Sequence, residues 1–221
     1  MKKTLFICGY GITLKHITAE TSEVLEKAEV VISPSIDKDI ILSSRIKIKS
    51  VRDLNPERQL SLIKKLFKKY EKIAFLTYGN PCFLNSITYL IKNNLKNIKI
   101  ITLPAVSSFD IIIDIFNELN LIPKDLTAIS LNKDKKKIEL YPKTDTIIFG
   151  AEALKEDDSL LKQFLLTFKK SYSEDHSIYI VTIKDFSCRD TEIIKTKINN
   201  FEDKIKTIKN MATIFIPFAK K

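Results

Sequence analysis

Three short segments of this sequence place glycine or hydrogen-bonding side chains at points where an apolar run ends; glycine occurs in the first two, and two serines occur in the third. They are Gly9-Tyr10-Gly11, Tyr78-Gly79-Asn80-Pro81 and Pro104-Ala105-Val106-Ser107-Ser108. Each apolar run has the length and composition of a buried strand, and a helix-forming stretch follows each segment. Because the carboxyl ends of parallel strands share one edge of a sheet, where ligands bind, we expect the three loops to form a small-molecule site. Ordinary strand-to-helix turns use the same residue types, so the prediction depends on the three loops together.

The spacing of these residues argues against a phosphate-held ligand. The third glycine of a dinucleotide-binding motif that began at Gly9 would fall at position 14, which is Leu14. No P-loop sequence is present either. Glycine permits close backbone approach and a positive φ, while Asn80 and the two serines offer side-chain hydrogen bonds. A ligand held by backbone groups and small polar side chains is therefore expected.

Length and charge restrict the class of protein. The chain has 221 residues, of which 44% are apolar, enough for two domains that each bury a core. We place the domains at residues 1–123 and 124–221. The net charge is +10, but only 4 of the 37 basic residues are arginine. Since nucleic-acid sites favour arginine, a solvated lysine surface is expected and a nucleic-acid partner is not. No run of 18 apolar residues occurs, so no membrane span is expected and the cytoplasm is the default location.

The cysteines and histidines do not predict a metal site. Cys8, Cys82 and Cys188 are widely spaced, and no pair has the spacing of metal ligands. We expect Cys8 and Cys82 to be small buried residues. His16 is expected at the surface or at a helix cap, and His176 in a solvent-exposed acidic turn.

The order of predicted elements indicates an α/β fold with a parallel amino-terminal sheet and a mixed carboxyl-terminal sheet. The predicted strands are residues 3–8, 30–32, 46–50, 72–77, 98–103, 126–131, 144–149, 177–182, 191–198 and 212–217. The predicted helices are residues 18–28, a helix that begins at Asn55-Pro56, 83–93, an apolar helix that follows Ser108 and ends at about Leu119, 159–170, and a short helix capped by Asn200.

Four blocks in this order resemble the tetrapyrrole methylase family. They are "ICGYGITLKHITAETSEVLEKAEVVI", "IAFLTYGNPCF", "ITLPAVSSFD" and the closing "MATIFIPFAKK". The family comprises S-adenosylmethionine-dependent methyltransferases with two α/β domains and a cofactor cleft between them, and it usually forms homodimers. The resemblance covers most of the chain. It implies S-adenosylmethionine as cofactor, S-adenosylhomocysteine as product and a homodimer.

Within that family the sequence is most similar to the borosin-type peptide backbone N-methyltransferases. Its first loop, Gly-Tyr-Gly-Ile-Thr-Leu, lacks the Gly-Pro-Gly-Asp form common among tetrapyrrole enzymes. Tyr78 before Gly79-Asn80-Pro81 matches a Tyr-Gly-x-Pro pattern, and residues 216–221 also look similar to the ending of that branch.

The resemblance assigns site residues position by position. On the first domain it implies cofactor contacts from Tyr78, Gly79, Asn80, Pro81, Cys82, Phe83, Ser107 and Ser108. On the second domain it implies cofactor contacts from Phe149, Gly150, Ala212 and Thr213. Gly9 and Tyr10 would line the substrate side of the cleft.

The catalytic residues are less clearly marked. A backbone amide is a very weak acid, so its methylation requires a strong anion-stabilising site, such as arginine with tyrosine hydroxyls. The peptide-methylating enzymes typically carry an arginine followed four residues later by a tyrosine. In the corresponding segment, "SVRDLNPERQLSLI", Arg52 is followed at that spacing by Pro56 and Arg58 by Leu62. The candidates are therefore Tyr10, Arg52 and Arg58.

The preferred interpretation is a peptide methyltransferase that acts on a separate precursor chain. Tetrapyrrole or RNA methylation on the same fold are enzyme alternatives. A non-catalytic subunit that binds S-adenosylmethionine is an alternative of another class, and the missing tyrosine keeps it open.

Overall fold

A computed structural model describes residues 3–121, 123, 125–131, 138–183, 191–208 and 212–219. Cys188, the segment 132–137 and the closing pair Lys220 and Lys221 lie outside the described residues. The chain divides into two compact units, Met1–Ile112 and Ile113–Lys221. This division falls inside a helix, Ser108–Glu118, whereas the boundary predicted from the sequence lies after that helix ends.

In its described residues, the amino-terminal unit contains a six-stranded sheet, three α-helices and the first part of a fourth. The strands are β1 (Thr4–Gly9), β2 (Val30–Ser33), β3 (Ile40–Ile41), β4 (Lys47–Ser50), β5 (Lys72–Thr77) and β6 (Lys99–Leu103). The helices are α1 (Ala19–Lys27), α2 (Pro56–Leu66), α3 (Ser86–Asn94) and α4 (Ser108–Glu118), and Leu14–His16 forms a 3-10 turn. The strand order is β3-β4-β2-β5-β1-β6.

The sheet is parallel except at one edge. β1 lies between β5 and β6 and pairs in parallel with both, and β2 pairs in parallel with β5 and β4. Only β3 is antiparallel to its neighbour in the described sheet. The sequence does not predict β3, because two residues are too few to show an alternation. The order places the loops that follow β5, β1 and β6 side by side.

Both faces of this sheet are buried, as expected for parallel strands. Along β5, Ile73 and Phe75 pack in the cluster that includes Ile63 of α2 and Ile91 of α3. Ala74 and Leu76 pack on the other face. Consecutive side chains of a strand point to opposite faces, so an uninterrupted apolar run is required here.

Helix caps in the amino-terminal unit match the sequence prediction in two cases and differ in one. Thr18 caps α1 by accepting from the amide of Thr21, and Asn55 caps α2 by accepting from the amide of Arg58. The third helix was predicted to begin at Phe83, but α3 begins at Ser86 because the Asn85 side chain accepts from the amide of Thr88.

The carboxyl-terminal unit contains a mixed sheet in its described residues. Its strands are β7 (Leu126–Ser130), β8 (Asp145–Phe149), β9 (Ser177–Ile183), β10 (Thr191–Lys197) and β11 (Ala212–Ile216), in the order β10-β9-β11-β8-β7. The helices are α5 (Glu152–Glu156), α6 (Asp158–Ser171) and α7 (Ile198–Thr207). β7 pairs in parallel with β8, and the other pairs are antiparallel. The predicted α/β class with one largely parallel and one mixed sheet is confirmed.

One cap prediction in this unit is wrong. Asn200 was expected to cap a short helix, but α7 begins at Ile198, after Lys197. The early start buries Ile198, Phe201 and Ile205 in the core, where Phe201 lies 5.0 Å from Phe164 between ring centroids. Burial of this apolar face outweighs the local preference of asparagine for a cap. None of the described helices is both long and apolar enough to span a lipid bilayer.

Candidate functional site

The three loops singled out in the sequence meet at Gly9. A Cβ atom on Gly9 would lie 2.1 Å from the carbonyl oxygen of Gly79, 2.7 Å from Cβ of Ala105 and 2.9 Å from Cδ of Pro81. These neighbours belong to the loops after β5 and β6. Since one missing methyl group allows all three loops to approach, Gly9 is required by close packing rather than by its backbone angles.

Gly79, in contrast to Gly9, has open space at the position of a Cβ atom. It adopts a φ of +64°, and its amide donates to the carbonyl oxygen of Gly11 at 2.9 Å. Nothing in the described structure lies within 4 Å of the position that a Cβ would occupy. The turn therefore presents an open backbone face at the carboxyl end of a buried strand, which is where a ligand can approach the main chain.

The rest of this loop is ordered by its own hydrogen bonds. The Asn80 side chain accepts from the amide of Cys82 at 2.9 Å, and the Asn80 carbonyl accepts from the amide of Phe83 at 3.0 Å. Asn85 both caps α3 and donates through Nδ2 to Thr77 Oγ1 at 3.1 Å. Asn85 is not among the residues predicted from the sequence, although asparagine just before an apolar helix is a recognisable cap signal.

Cys82 and Phe83 differ in exposure. Cys82 was expected to be buried, but the structure places it at the surface, so that prediction is wrong. The turn formed around Asn80 directs the residue outward. Phe83 packs against Phe109 at 5.8 Å between ring centroids, which connects the β5 loop to α4.

Ser107 serves as a helix cap. Its amide and hydroxyl both donate to the Asp110 carboxylate, at 2.7 and 2.8 Å, and the amide of Asp110 points back at Ser107 Oγ at 3.4 Å. This reciprocal pair is a capping box, and only 5% of Ser107 is exposed. Ser108 begins the helix and is half-buried. The Ser-x-x-Asp spacing in the sequence is the local signal for this cap.

A fourth loop, which the sequence analysis missed, borders the site. It follows β2 and contains Ser35, whose hydroxyl accepts from the amide of Tyr78 at 3.1 Å. The carbonyl oxygen of Ser35 accepts from the Tyr10 hydroxyl at 3.4 Å. The rings of Tyr10 and Tyr78 contact edge to face, with centroids 6.0 Å apart. Serines directly after a buried strand are the sequence signal for this loop, as they are for the loop after β6.

The environment of Tyr10 keeps its hydroxyl protonated. Burial raises the pKa of Tyr10, while a hydrogen bond with Ser35 and the positive charge of Arg52 act in the opposite direction. A phenol with a raised pKa donates a hydrogen bond at neutral pH and is a poor general base. Tyr10 is thus suited to polarise an acceptor group.

The two candidate arginines are separated by the fold. Arg52 follows β4, pairs with the carboxylate of Asp37, and lies close enough for its charge to act on Tyr10. Arg58 is exposed in the first turn of α2. Among the described contacts, Arg52 and not Arg58 is connected to Tyr10.

Two other reactive side chains near these loops, those of Cys8 and His16, are packed against neighbouring residues. Cys8 is fully buried in β1, and burial, with a smaller effect from Glu20, raises the pKa of its thiol to about 12. It is therefore neutral and not a nucleophile at physiological pH. His16 packs beside Gly11, where a Cβ on that glycine would lie 2.5 Å from the histidine Cβ.

In the carboxyl-terminal unit, the four predicted cofactor residues lie together at one end of two paired strands. Thr213 of β11 is the antiparallel partner of Phe149 at the end of β8. Gly150 follows with a φ of +74°, and the amide of Ala151 donates to the carbonyl of Ala212 at 3.1 Å. A Cβ on Gly150 would lie 2.7 Å from the carbonyl oxygen of Leu131.

His176 is not solvent-exposed, so that expectation is wrong. It is half-buried, with its ring centroid 4.6 Å from that of Tyr172, and Nε2 lies 2.8 Å from the carbonyl oxygen of Pro217. Burial lowers the pKa of His176, and the hydrogen bond to Pro217 partly offsets this effect. The acidic neighbour Asp175 turns away and pairs with Lys197. Among the described residues, no group of three His, Cys, Asp or Glu side chains is placed to hold a metal ion.

Solved structures with the same fold are numerous. The methyltransferase CobJ has a TM-score of 0.72 at 12% identity, over 98% of this chain and 95% of that one. Uroporphyrin-III-C-methyltransferase from Thermus thermophilus has a TM-score of 0.67 at 14% identity, over 98% and 93%. The precorrin-6Y methylase CbiE from Archaeoglobus fulgidus has a TM-score of 0.65 at 14% identity, over 98% and 99%. At these identities the likeness establishes the fold.

Sequence comparison establishes the family. No curated protein sequence matches the chain. The family model for tetrapyrrole (corrin/porphyrin) methylases, however, matches residues 4–199, which include the three loops at the edge of the first sheet and the Phe149-Gly150 turn of the second. The chain therefore belongs to the tetrapyrrole (corrin/porphyrin) methylase family.

Proposed function

We propose that this protein is an S-adenosylmethionine-dependent methyltransferase whose cofactor is bound at the carboxyl edge of the parallel sheet. Family membership supports the reaction class. The observation that carries the location is the open face of Gly79, in a turn with positive φ beside two further strand-end loops. In open α/β sheets this edge is the usual ligand site.

The residues present fit this cofactor. S-adenosylmethionine has no phosphate groups, and the loops have no P-loop and no dinucleotide motif. They offer instead an open main-chain turn, the amide side chain of Asn80 and the aromatic rings of Tyr78 and Phe83. When bound, the cofactor supplies an electrophilic methyl group on a sulfonium, so the protein contributes mainly alignment and the exclusion of water. Phe149, Gly150, Ala212 and Thr213 are proposed as the contribution of the second unit.

The acceptor we propose is a peptide backbone amide of a separate precursor chain. This proposal is supported by the borosin-like pattern of the β1 and β5 loops and by the pairing of a protonated phenol with a nearby guanidinium. An amide that loses its proton to solvent water develops negative charge on oxygen, which hydrogen-bond donors and a positive charge stabilise. Tyr10 and Arg52 have these properties. Arg58 is kept as a candidate of lower rank, because it lies on another element and no described contact connects it to Tyr10.

A tetrapyrrole is the second candidate acceptor. It is favoured by the names of the solved structures, which include a uroporphyrin methyltransferase and a precorrin methylase. The RNA methyltransferase and the non-catalytic cofactor-binding subunit are retained as outcomes of the tests. A homodimer is also proposed from the family resemblance, and light scattering on the purified chain tests it.

Calorimetric titration with S-adenosylhomocysteine tests cofactor binding. Gly79→Ala and Gly79→Trp share the strain of a positive φ, about 1 kcal/mol or more, but differ in how far they fill the open face. We expect micromolar binding by the wild type and its loss in the tryptophan variant, with an intermediate affinity for the alanine variant. Absence of binding by the folded wild type would overturn the proposed function.

Mass spectrometry after incubation with S-adenosylmethionine identifies the acceptor. A panel of precursor-like peptides and a uroporphyrinogen are supplied in parallel, with Tyr10→Phe and Arg52→Gln beside the wild type. We expect methyl gain on a peptide, reduced at least about 100-fold in each variant, which is the typical effect of removing one transition-state donor. Methyl gain on the tetrapyrrole alone would contradict the peptide proposal and make the tetrapyrrole the acceptor. Tight cofactor binding without any transfer would favour the non-catalytic subunit.

A further inference from the structure

The loop after β2, which borders the candidate site, is ordered by hydrogen bonds of Ser33. Ser33 is fully buried, and its carbonyl oxygen accepts from the amide of Val51 at 2.8 Å. Its hydroxyl lies 3.3 Å from the amide of Ser35 and orders the turn that presents Ser35. Ser35 is therefore positioned by the end of the parallel sheet rather than by solvent.

From this position Ser35 reaches two of the site loops. The parallel register of β2 and β5 ends at Ile32 and Phe75, so the amide of Tyr78 lies beyond the backbone ladder between these strands. That amide donates to Ser35 Oγ at 3.1 Å, and the Tyr10 hydroxyl donates to the Ser35 carbonyl at 3.4 Å. One residue thus contacts both the turn that begins at Tyr78 and the proposed polarising phenol.

We propose that Ser35 is a positioning residue that fixes the Tyr78-Gly79 turn and the Tyr10 hydroxyl relative to one another. The inference rests on the proposed function, because it concerns the same site. Gly79 has no side chain of its own to hold the turn, and its φ of +64° is a conformation that must be imposed by neighbours. The hydroxyl of Ser35 imposes it from one side, and the carbonyl of Gly11 does so from the other.

The two polar groups of Ser35 therefore have different roles: its hydroxyl holds the Tyr78-Gly79 turn, and its carbonyl holds the Tyr10 hydroxyl. Loss of the Ser35 hydroxyl removes the hydrogen bond that it accepts from the amide of Tyr78 and loosens the turn proposed to contact the cofactor. Tyr10 keeps its backbone acceptor but packs edge to face against a displaced Tyr78 ring. Cofactor affinity should therefore fall while the core of the unit is unchanged.

The test is calorimetric titration with S-adenosylhomocysteine, together with the thermal midpoint of each variant. Ser35→Ala removes the acceptor, Ser35→Cys replaces it by a weak one of similar size, and Ser35→Thr retains it. Ser43→Ala is the matched control, since Ser43 Oγ also accepts from a loop amide, that of Ile46 at 3.3 Å. We expect affinity to fall about 3- to 10-fold in Ser35→Ala and Ser35→Cys, the range for one hydrogen bond, and to be restored in Ser35→Thr.

Each other outcome is decisive. Equal affinities for wild type and Ser35→Ala would overturn this inference and leave the proposed function intact. No binding by the folded wild type would overturn the proposed function and the inference together. If Ser35→Ala does not fold, the affinity of Ser35→Cys for S-adenosylhomocysteine tests the inference. If neither variant folds while Ser35→Thr folds and binds, Ser35 has only a structural role and the inference is overturned.

Discussion

At the scale of single residues, two glycines in neighbouring loops are required for different reasons. Gly9 has no room for a side chain, because its Cβ would lie within 3 Å of the Gly79 carbonyl oxygen, the Ala105 methyl group and the Pro81 ring. Gly79 has room but adopts a left-handed conformation. The first residue therefore determines whether the loops can meet, and the second determines what the assembled loops expose.

Substitution of Gly9 is expected to be much more damaging to stability than substitution of Gly79. A Cβ at 2.1 Å from a backbone oxygen cannot be relieved by rotating a side chain, so Gly9→Ala should lower the free energy of unfolding by about 3 kcal/mol or more. Gly79→Ala is the control and should cost about 1 kcal/mol. Urea unfolding followed by circular dichroism measures both. Equal destabilisation would show that the three loops are not closely packed at Gly9.

His176 is expected to make the stability of the chain depend on pH. Its pKa is lowered in the folded protein, so between the ordinary value of 6.5 and the lowered value the unfolded chain binds more protons. The stabilisation is present above pH 6.5 and is lost as the pH falls through the folded pKa. His176→Gln should flatten this part of the profile, measured as urea midpoints from about pH 7 to about pH 5.

The chain's other histidine supplies the control for this experiment. His16→Gln removes an imidazole from the amino-terminal unit, where it packs beside Gly11 and not beside Pro217. Comparison of the two variants shows whether the slope between these pH values belongs to His176. If His176→Gln kept the wild-type slope, the half-buried position of His176 would not be the cause of the pH dependence.

At the scale of elements, the start of α4 separates two serines that the family resemblance treats alike. Ser107 is nearly buried and shares three close approaches with Asp110, whereas Ser108 is half-buried in the first helical position. A capping residue determines where a helix begins and hence where the loop after β6 ends. Ser107 therefore shapes the site through the backbone, and Ser108 is the better placed of the two for a ligand contact.

This difference predicts opposite effects of two alanine substitutions. Ser107→Ala should lower the free energy of unfolding by about 1 kcal/mol, the typical value of a lost cap. Ser108→Ala should change stability by less than about 0.5 kcal/mol, because it removes no cap. Chemical unfolding measures stability, and calorimetry with S-adenosylhomocysteine then shows which serine affects affinity. An unchanged stability in Ser107→Ala would mean that Asp110 alone is sufficient to cap the helix.

At the scale of the whole molecule, the chain is strongly basic but its charge is carried mainly by lysine. Lysine is a hydrated point charge and lacks the planar fork that reads phosphates and bases. Lys27 and Lys206 pair with carboxylates one helical turn away, and Lys197 pairs with the exposed carboxylate of Asp175. These pairs are typical of a solvated surface.

The charge therefore predicts weak, salt-dependent and sequence-independent binding of RNA. Fluorescence anisotropy with two unrelated single-stranded oligonucleotides should show similar affinities at low salt. Binding should become undetectable by about 0.2 M salt, since release of counterions lowers affinity steeply. If one oligonucleotide still bound at about 0.2 M salt and the other did not, the result would favour RNA as the methyl acceptor.

The sequence by itself determined the class of fold and the position of the candidate site. Uninterrupted apolar runs require strands buried on both faces, and such strands in a repeated strand–loop–helix order require a parallel sheet whose loops share an edge. Caps such as Thr18 and Asn55 were readable for a similar reason. Their hydrogen bonds join residues three positions apart.

The tertiary structure decided which side chains act together at that edge. Ser35 meets Tyr78 across 43 positions of the chain and Tyr10 across 25, and His176 meets Pro217 across 41. No local pattern encodes such pairs, because they result from the order of strands in the sheet and from the path of the loops between them. The same holds for the space at Gly9 and at Gly79, since the sequence shows that a side chain is absent but only the packed neighbours show why.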